Sequence, residues 1–309
     1  MSSAPSQIES IQVRRADERL TSPPQKKPHR RSTILTIVVW CTLAYFLIPP
    51  IWIFMSATKT NSDFFSTFGL SFGNSFELFN NIRQVFSLQG GVFVQWILNT
   101  LFYSVTSAVG ASILATTCGY ALAKYVFRGR AAVFSVILGA VMVPMTALAI
   151  PTFLLFSAWN LTNTPWAVIL PSLVSPFAVY LMRVYTVEAV DDSLLEAARI
   201  DGAGELRIFF SIGSRLLGPG IVTVLLFTLV ATWNNYFLPL IMLNSNSLYP
   251  LTVGLSSWQA QSALGSGSGT VLYTTVMTGS LISMIPLIVA FLLLQRYWQT
   301  GVTTGGVKG

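Results

Sequence analysis

The sequence predicts an all-α integral membrane protein with six transmembrane helices and both termini in the cytoplasm. Three observations support this prediction: the composition, the length of the apolar runs and the distribution of the basic residues. Of the 309 residues, 53% are hydrophobic and only 9% are charged, and the mean hydropathy is +0.64. Because a soluble domain normally has about a quarter of its residues charged, this chain needs lipid around much of its apolar surface.

Six apolar runs are long enough to cross a bilayer. In hydrocarbon every backbone polar group must be satisfied within the segment, so runs of about twenty residues form helices, whereas barrel strands would be about ten residues long and alternating. The predicted spans are Ile34 to Ser56, Trp96 to Ala123, Ala131 to Phe156, Trp166 to Met182, Ile221 to Leu243 and Val271 to Leu294.

The basic residues orient these spans. If the N-terminus is cytoplasmic, all of the 18 Lys and Arg residues except Lys59 and Arg83 fall in cytoplasmic segments. This is a strong positive-inside distribution, and it places both termini in the cytoplasm. It also accounts for the net charge of +7 without a nucleic-acid partner, because the basic residues form no stripe that could follow a phosphate backbone.

Outside the spans, the chain divides into tails and loops. We expect residues 1–32 to be a disordered basic cytoplasmic tail, residues 33–296 to be the membrane domain and residues 297–309 to be a cytoplasmic C-terminal tail. Two outer segments, residues 57–95 and 244–270, are either exposed connecting loops or a surface that meets an external partner.

The sequence shows neither an ion-coupling residue within the spans nor a nucleotide-binding loop. Ion-coupled carriers place ionisable residues at membrane depth, and no such residue lies well inside any of the six runs. No GxxxxGK[ST] loop occurs, so any ATPase must be a partner, and no spacing of cysteines or histidine indicates a metal site. We therefore expect a transport subunit that performs no bond chemistry of its own.

The inner loop from Arg183 to Gly218 is rich in charge. Ser193 and Glu196 have the spacing of a capping box, which predicts that a helix starts there and ends near the Gly202-Ala-Gly204 turn. A second helix would then lead back to the membrane at Pro219. Two short helices around a glycine turn form a compact projection, which is either a solvated loop or a contact for another protein.

Two further patterns lie within the spans. Small residues recur every fourth position in the second span, at Ser107, Ala111, Ala115 and Gly119, which predicts close helix packing. Near the middle of the predicted fifth span lie four polar and aromatic residues: Trp233, Asn234, Asn235 and Tyr236. We expect them to face the bundle interior, where they would either bind a sugar or join helices by hydrogen bonds.

The string EAARIDGAGELRIFFSI resembles the EAA loop of ABC importer permeases, and its DGA variant is similar to the sugar-permease branch. The resemblance covers nearly all of the chain after residue 34. One departure is the pair Ser214-Arg215, where the family motif usually has Leu-Pro. Other segments that carry the resemblance are Asn99-Thr100, residues 121–130, Val143-Pro144, residues 233–236 and residues 305–309.

This resemblance implies a permease-type bundle in a bacterial inner membrane that forms half of a sugar pathway. It also implies a second permease subunit, a cytoplasmic ATPase dimer that holds ATP and Mg, and an extracytoplasmic sugar-binding protein. A secondary transporter or facilitator, or an ABC permease for a non-sugar solute, remains an alternative. The residues expected to dock on the ATPase are Glu196, Ala197, Ala198, Asp201 and Gly202.

Overall fold

A computed structural model describes residues 33–264 and 272–304, with side chains up to residue 297. All regular elements in these ranges are helical. The numbered helices are α1 Thr33–Ala57, α2 Asn61–Ser66, α3 Leu78–Ser87, α4 Val92–Lys124, α5 Arg130–Val141, α6 Ala149–Ala158, α7 Trp166–Leu173, α8 Pro176–Ala189, α9 Asp192–Ile200, α10 Glu205–Ile208, α11 Ser214–Leu216, α12 Gly218–Trp233, α13 Phe237–Met242, α14 Leu251–Ala263 and α15 Tyr273–Thr304.

Four helical stretches of the described chain are long and apolar enough to cross a membrane: Thr33–Ala57, Val92–Lys124, Trp166–Ala189 and Tyr273–Tyr297. The bent pair Glu205–Leu216 and Gly218–Trp233 raises the number to five if it is counted as one span. The all-helical prediction is thus confirmed for these residues, while three of the six predicted spans are interrupted: Trp166 to Met182 only at Val174 and Ser175, and the other two over longer breaks. The predicted tail at residues 1–32 lies outside the described residues, and α15 continues to Thr304, beyond the predicted end at Leu294.

The predicted span from Ala131 to Phe156 is two short helices, α5 and α6, separated by residues 142–148. Pro144 has no amide hydrogen to donate to the carbonyl of Ala140, four residues earlier. That carbonyl instead accepts from the Val143 amide at 3.3 Å, so the α-helical pattern stops. The apolar run was therefore identified correctly, but its proline divides it.

The predicted span from Ile221 to Leu243 is interrupted as well, because α12 ends at Trp233 and α13 begins at Phe237. Pro239 lacks the amide hydrogen that a continuous helix would direct to the carbonyl of Asn235. The hydroxyl of Thr252, at the start of α14, donates to that carbonyl at 2.8 Å instead. A contact from outside the segment therefore stabilises the break.

Both outer segments are folded in the residues that the structure describes. In the described part of residues 57–95, the ammonium group of Lys59 is buried and donates to the carbonyl of Phe68 at 2.8 Å. The side-chain amide of Asn81 donates to the carbonyls of Ala57 and Lys59 at 2.8 and 3.0 Å. The second outer segment contains α14. The described parts of both segments are therefore folded, which is compatible with both interpretations.

The helix α4 lies at the centre of the helix packing and contacts both α8 and α12. The predicted small-residue stripe on α4 is buried, with Ser107 fully buried and Ala111 and Ala115 each 1% exposed. At Gly119 an added Cβ would lie 2.7 Å from the Cβ of Met182 on α8. The interpretation of this stripe as a close packing surface is therefore confirmed.

Candidate functional site

The helix α9 carries most of the residues expected to contact an ATPase, and its N-cap lies two residues before the one that the sequence predicted. The N-cap is Asp191, whose carboxylate accepts from the amide of Ser193 at 2.9 Å and from its hydroxyl at 2.9 Å. The prediction that Ser193 and Glu196 form a capping box was therefore wrong. Asp191 is itself a preferred cap, and it lies close enough to the backbone to take that role.

A glycine turn ends α9 as predicted. Gly202 has a φ of +80°, which a residue with a side chain adopts only with strain. Its amide donates to the carbonyl of Arg199 at 3.0 Å, and the amide of Ala203 donates to the carbonyl of Ala198 at 3.0 Å. These two bonds are those of a Schellman motif, which closes the helix and reverses the chain.

The two short helices are anchored to the membrane helices by apolar side chains. Leu195 of α9 and Ile208 of α10 are 2% and 1% exposed. Both belong to one buried cluster with Tyr120 of α4 and Met182 of α8. This cluster therefore packs the α9–α10 projection firmly against α4 and α8.

A lysine at the end of α4 holds the start of α9. The side chain of Lys124 is 5% exposed, and its ammonium group donates to the carbonyl of Val190 at 2.5 Å and to the carboxylate of Asp192 at 2.7 Å. From the sequence, Lys124 was interpreted only as a topology signal. A basic residue directly after a span gives no indication of a partner 66 residues away.

A second polar contact closes the turn between α9 and α10. The guanidinium of Arg199 donates twice to the Glu205 carboxylate, at 2.7 and 3.3 Å, and the hydroxyl of Tyr125 donates to it at 3.0 Å. These hydrogen bonds, that of Arg199 first, hold the pKa of Glu205 below its ordinary value. Burial, and then the hydrogen bond to Glu205, raises the pKa of Tyr125 to about 12.

The outward face of this projection contains the predicted docking residues. Glu196, Ala197, Asp201 and Gly202 are exposed, and Ala198 is half-buried beneath them. Large apolar side chains flank them, since Ile200 is 87% exposed, Leu206 76% and Phe210 66%. An apolar surface with charged neighbours, held on a rigid base, is typical of a protein interaction site.

The return path to the membrane contains a π-helical turn at Phe209–Gly213, next to the unusual Ser214-Arg215 pair. An added Cβ at Gly213 would lie 2.9 Å from the Tyr120 ring, so the glycine permits this close contact. The chain stays helical through Ser214–Leu216 and then bends by 74° into α12. The bend therefore occurs without the proline that the family motif usually has.

A cavity of about 610 Å³ lies where the α7–α8 junction faces α12 and the chain that follows it. None of the residues around it carries a charge, and its polar groups are hydroxyls and side-chain amides. Phe177 and Phe227 in its wall are 47% and 51% exposed, so it is a cleft on the surface of the chain. Residues that define it include Ser175, Phe227, Thr228, Asn234, Asn235 and Tyr236.

Three of the four predicted pathway residues line this cleft, and Trp233 does not. Trp233 is 4% exposed and belongs to a buried cluster with Trp96 and Trp258. All four were expected near the middle of a continuous helix. The structure places them at the end of α12 instead, where the turn directs Trp233 into the bundle and leaves Asn234 and Asn235 on the cleft.

Comparison with known proteins identifies the family of this chain. Residues 115–304 match the model of the family described as "Binding-protein-dependent transport system inner membrane component". In structural comparison, the chain is similar to a crystal structure of a bacterial ABC transporter involved in the import of the acidic polysaccharide alginate. The TM-score is 0.71 and the sequence identity 26%, over 90% of this chain and all of the other.

Curated relatives extend the similarity beyond the matched region. The chain is 35% identical over 230 residues to the arabinooligosaccharides transport system permease protein AraQ of Halalkalibacterium halodurans, covering 74% of this chain and 79% of that protein. It is 31% identical over 269 residues to the lactose transport system permease protein LacG of Rhizobium radiobacter, covering 86% and 93%. The chain therefore belongs to the family of multi-pass inner-membrane permease components of binding-protein-dependent ABC transporters.

Proposed function

We propose that this permease forms half of a pathway that imports a neutral sugar or oligosaccharide. The observation that carries the proposal is the cleft beside Asn234, Asn235 and Tyr236, because amides, hydroxyls and aromatic rings line it without any charge. Sugars offer hydroxyls for hydrogen bonds and C–H faces for aromatic contact, so this lining suits them better than phosphates or amino acids. The names of both relatives, for arabinooligosaccharides and lactose, agree with this class.

A cleft on the surface of one chain encloses a solute only when a second protein covers it. We therefore infer a second permease subunit opposite the cleft. The interrupted runs α5–α6 and α12–α13 would each cross the membrane as one broken span, which gives six spans in total. With the basic residues inside, both termini lie in the cytoplasm and the folded outer segments face the extracytoplasmic sugar-binding protein.

The α9–α10 projection is the proposed contact with a cytoplasmic ATPase dimer, which would hold ATP and Mg. Closure of that dimer would displace the exposed face around Glu196 and Gly202. The buried cluster of Leu195, Ile208 and Met182 would pass the displacement to α4 and α8. Alternating access then follows if the two subunits rock about the cleft.

The pair Gly202→Asp and Gly204→Asp tests this function. Gly202 has a φ of +80°, whereas Gly204 has a φ of −71° and caps α10, where aspartate is a preferred residue. We expect Gly202→Asp to remain in the membrane but to lose sugar uptake, and Gly204→Asp to keep most of it. Normal uptake by Gly202→Asp would overturn the assignment of the docking face.

Two further measurements separate the alternatives. A tagged chain should copurify with an ATPase, whereas a chain that moves solute when reconstituted alone would be a secondary transporter or facilitator. A thermal-shift screen of the partner binding protein against sugars, amino acids and polyamines identifies the solute class. Stabilisation by amino acids and not by sugars would leave the ABC permease assignment intact and reject the sugar proposal.

A further inference from the structure

A second cavity, of about 510 Å³, is lined by Arg183 of α8, the residue that follows Met182 and its packing contact with Gly119. It is formed by the loop before α5, the first turns of α5 and one side chain of α8. Two of its residues are arginines, Arg130 and Arg183, and none is acidic. Its other walls are largely apolar: Val126, Phe127, Gly129, Ala131, Phe134 and Ser135.

Arg183 has no anionic partner among the residues that the structure describes. Its guanidinium lies over the ring of Phe134, with the central carbon 3.9 Å from the ring centre. The Nε of Arg183 is buried and has no hydrogen-bond partner. A cation–π contact satisfies the face of a guanidinium but not its N–H groups, so this side chain retains donors for an acceptor that is supplied from elsewhere.

Arg130 faces the same cavity from the start of α5. One of its terminal nitrogens donates weakly to the carbonyl of Ala123 at 3.3 Å, which leaves its other donors available. No side chain caps α5 at Gly129, and the first-turn amide of Arg130 donates only to the Phe127 carbonyl, at 3.3 Å. Two guanidinium groups and an uncapped helix start all favour a negatively charged group with several oxygen atoms.

The position of the cavity indicates where this anion comes from. Arg183 is level with Gly119, since an added Cβ there would lie 2.8 Å from the Arg183 amide nitrogen. From Gly119 to the end of α4 at Lys124, the helix rises about 7.5 Å at 1.5 Å per residue. Arg183 therefore lies slightly inside the inner boundary of the membrane, at the depth where arginine side chains extend toward lipid headgroups.

The surrounding surface favours a lipid over a soluble anion. The described residues of α5 include no buried residue, and Val133, Val136 and Leu138 on it are 44%, 72% and 39% exposed. This apolar helix begins directly at the arginine pair. A phospholipid matches both parts, because its phosphate would meet the guanidinium groups while its acyl chains cover the apolar side chains.

We propose that Arg183 and Arg130 form a binding site for the headgroup of an anionic phospholipid of the inner leaflet. The lipid would join α5 to α8 directly beside the end of α4 that carries the α9–α10 projection. The site does not depend on the transported solute, so a failure of the sugar proposal would leave this proposal unaffected, and the reverse is also true.

The test measures lipid binding by the full chain, purified in detergent with the subunits that accompany it. Retained lipids are counted by native mass spectrometry during titration with phosphatidylglycerol or phosphatidylcholine. The wild type should retain phosphatidylglycerol preferentially, and Arg183→Gln should weaken that binding by about tenfold. Arg128→Gln is the matched control, because Arg128 is exposed in the same loop but does not line the cavity.

Arg130→Gln provides a second variant if Arg183→Gln does not fold, as judged by its unfolding temperature in phosphatidylcholine. Equal weakening by Arg128→Gln, or no preference of the wild type for phosphatidylglycerol, would overturn the site. Stabilisation by inorganic phosphate equal to that by the lipid would identify a soluble anion instead. Loss of an accompanying subunit without loss of lipid would identify a protein contact and also reject the proposal.

Discussion

Gly119 and Met182 bring α4 and α8 into direct contact, because a Cβ added at Gly119 would lie 2.7 Å from that of Met182 and 2.8 Å from the next amide nitrogen. The neighbouring atoms belong to the backbone or its first side-chain carbon, so they cannot rotate away. This contact lies beside the cluster that anchors the α9–α10 projection. The separation of α4 and α8 is therefore set by the absence of one methyl group.

The first prediction concerns this contact. Gly119→Ala should destabilise the protein by about 1–3 kcal/mol, because the added methyl group forces the two helices apart. Gly139→Ala is the control, since an added Cβ at Gly139 in α5 has no atom within 4 Å. The unfolding temperatures of the two purified variants provide the measurement. Equal temperatures would show that α4 and α8 can separate without cost.

The second prediction concerns Lys124 and Asp192, which form one ion pair but should contribute unequally. Lys124→Met leaves the buried Val190 carbonyl without its donor, at a cost of about 1–3 kcal/mol. Asp192 is 77% exposed, so Asp192→Asn should cost no more than about 1 kcal/mol. Thermal unfolding of the two variants compares them. A larger loss for Asp192→Asn would mean that the ion pair, and not the backbone contact, holds the start of α9.

The third prediction concerns pH. The pKa of Glu205 is lowered, so its contribution to stability is complete above the unfolded-state value, which is ordinarily 4.5, and is lost as the pH falls through the lower folded-state value. Hydrogen exchange of residues 201–208, corrected for the intrinsic effect of pH, should increase below pH 4.5 in the wild type.

The matched variant for that experiment is Glu205→Gln, which cannot titrate and offers only a neutral amide oxygen to the donors of Arg199 and Tyr125. Its turn should exchange faster than that of the wild type at neutral pH and should show little further change on acidification. A wild-type turn whose corrected exchange is independent of pH would contradict the role of the Glu205 carboxylate.

The fourth prediction concerns the cleft. Asn234→Leu removes an amide from the cleft wall while keeping a similar volume, so uptake should fall by about tenfold if the amide binds the solute. Copurification of the ATPase should stay unchanged, because Asn234 lies far along α12 from α9. Asn80→Leu, at an exposed site on α3, is the control. Unaltered uptake by Asn234→Leu would assign the amide to helix capping alone, through its 2.9 Å bond to the Val230 carbonyl.

Local patterns predicted the features of this protein that depend on neighbouring residues. The small-residue stripe ending at Gly119 and the turn at Gly202 both follow from rules that span one helical turn, and both are confirmed. The N-cap of α9 was predicted two residues too late, because Asp191 and Ser193 are both good N-caps and sequence alone does not choose between them.

The features that sequence did not predict depend on distant partners. The break after α12 is completed by Thr252, which reaches the Asn235 carbonyl from α14. Trp233 turns into the bundle because Trp96 and Trp258 form a cluster there. Likewise, the contact of Lys124 with Val190 joins residues that lie 66 positions apart. No periodicity within one segment contains this information.

The 74° bend between Glu205–Leu216 and α12 has a mechanical consequence. Because the two helix axes are nearly perpendicular, a displacement along the axis of the first helix is directed almost at right angles to the axis of α12. A displacement of the α10 segment would therefore tilt α12 about Leu217, which is fully buried and can serve as a pivot. Asn234 directly follows the opposite end of α12, so such a tilt would move Asn234 sideways at the cleft.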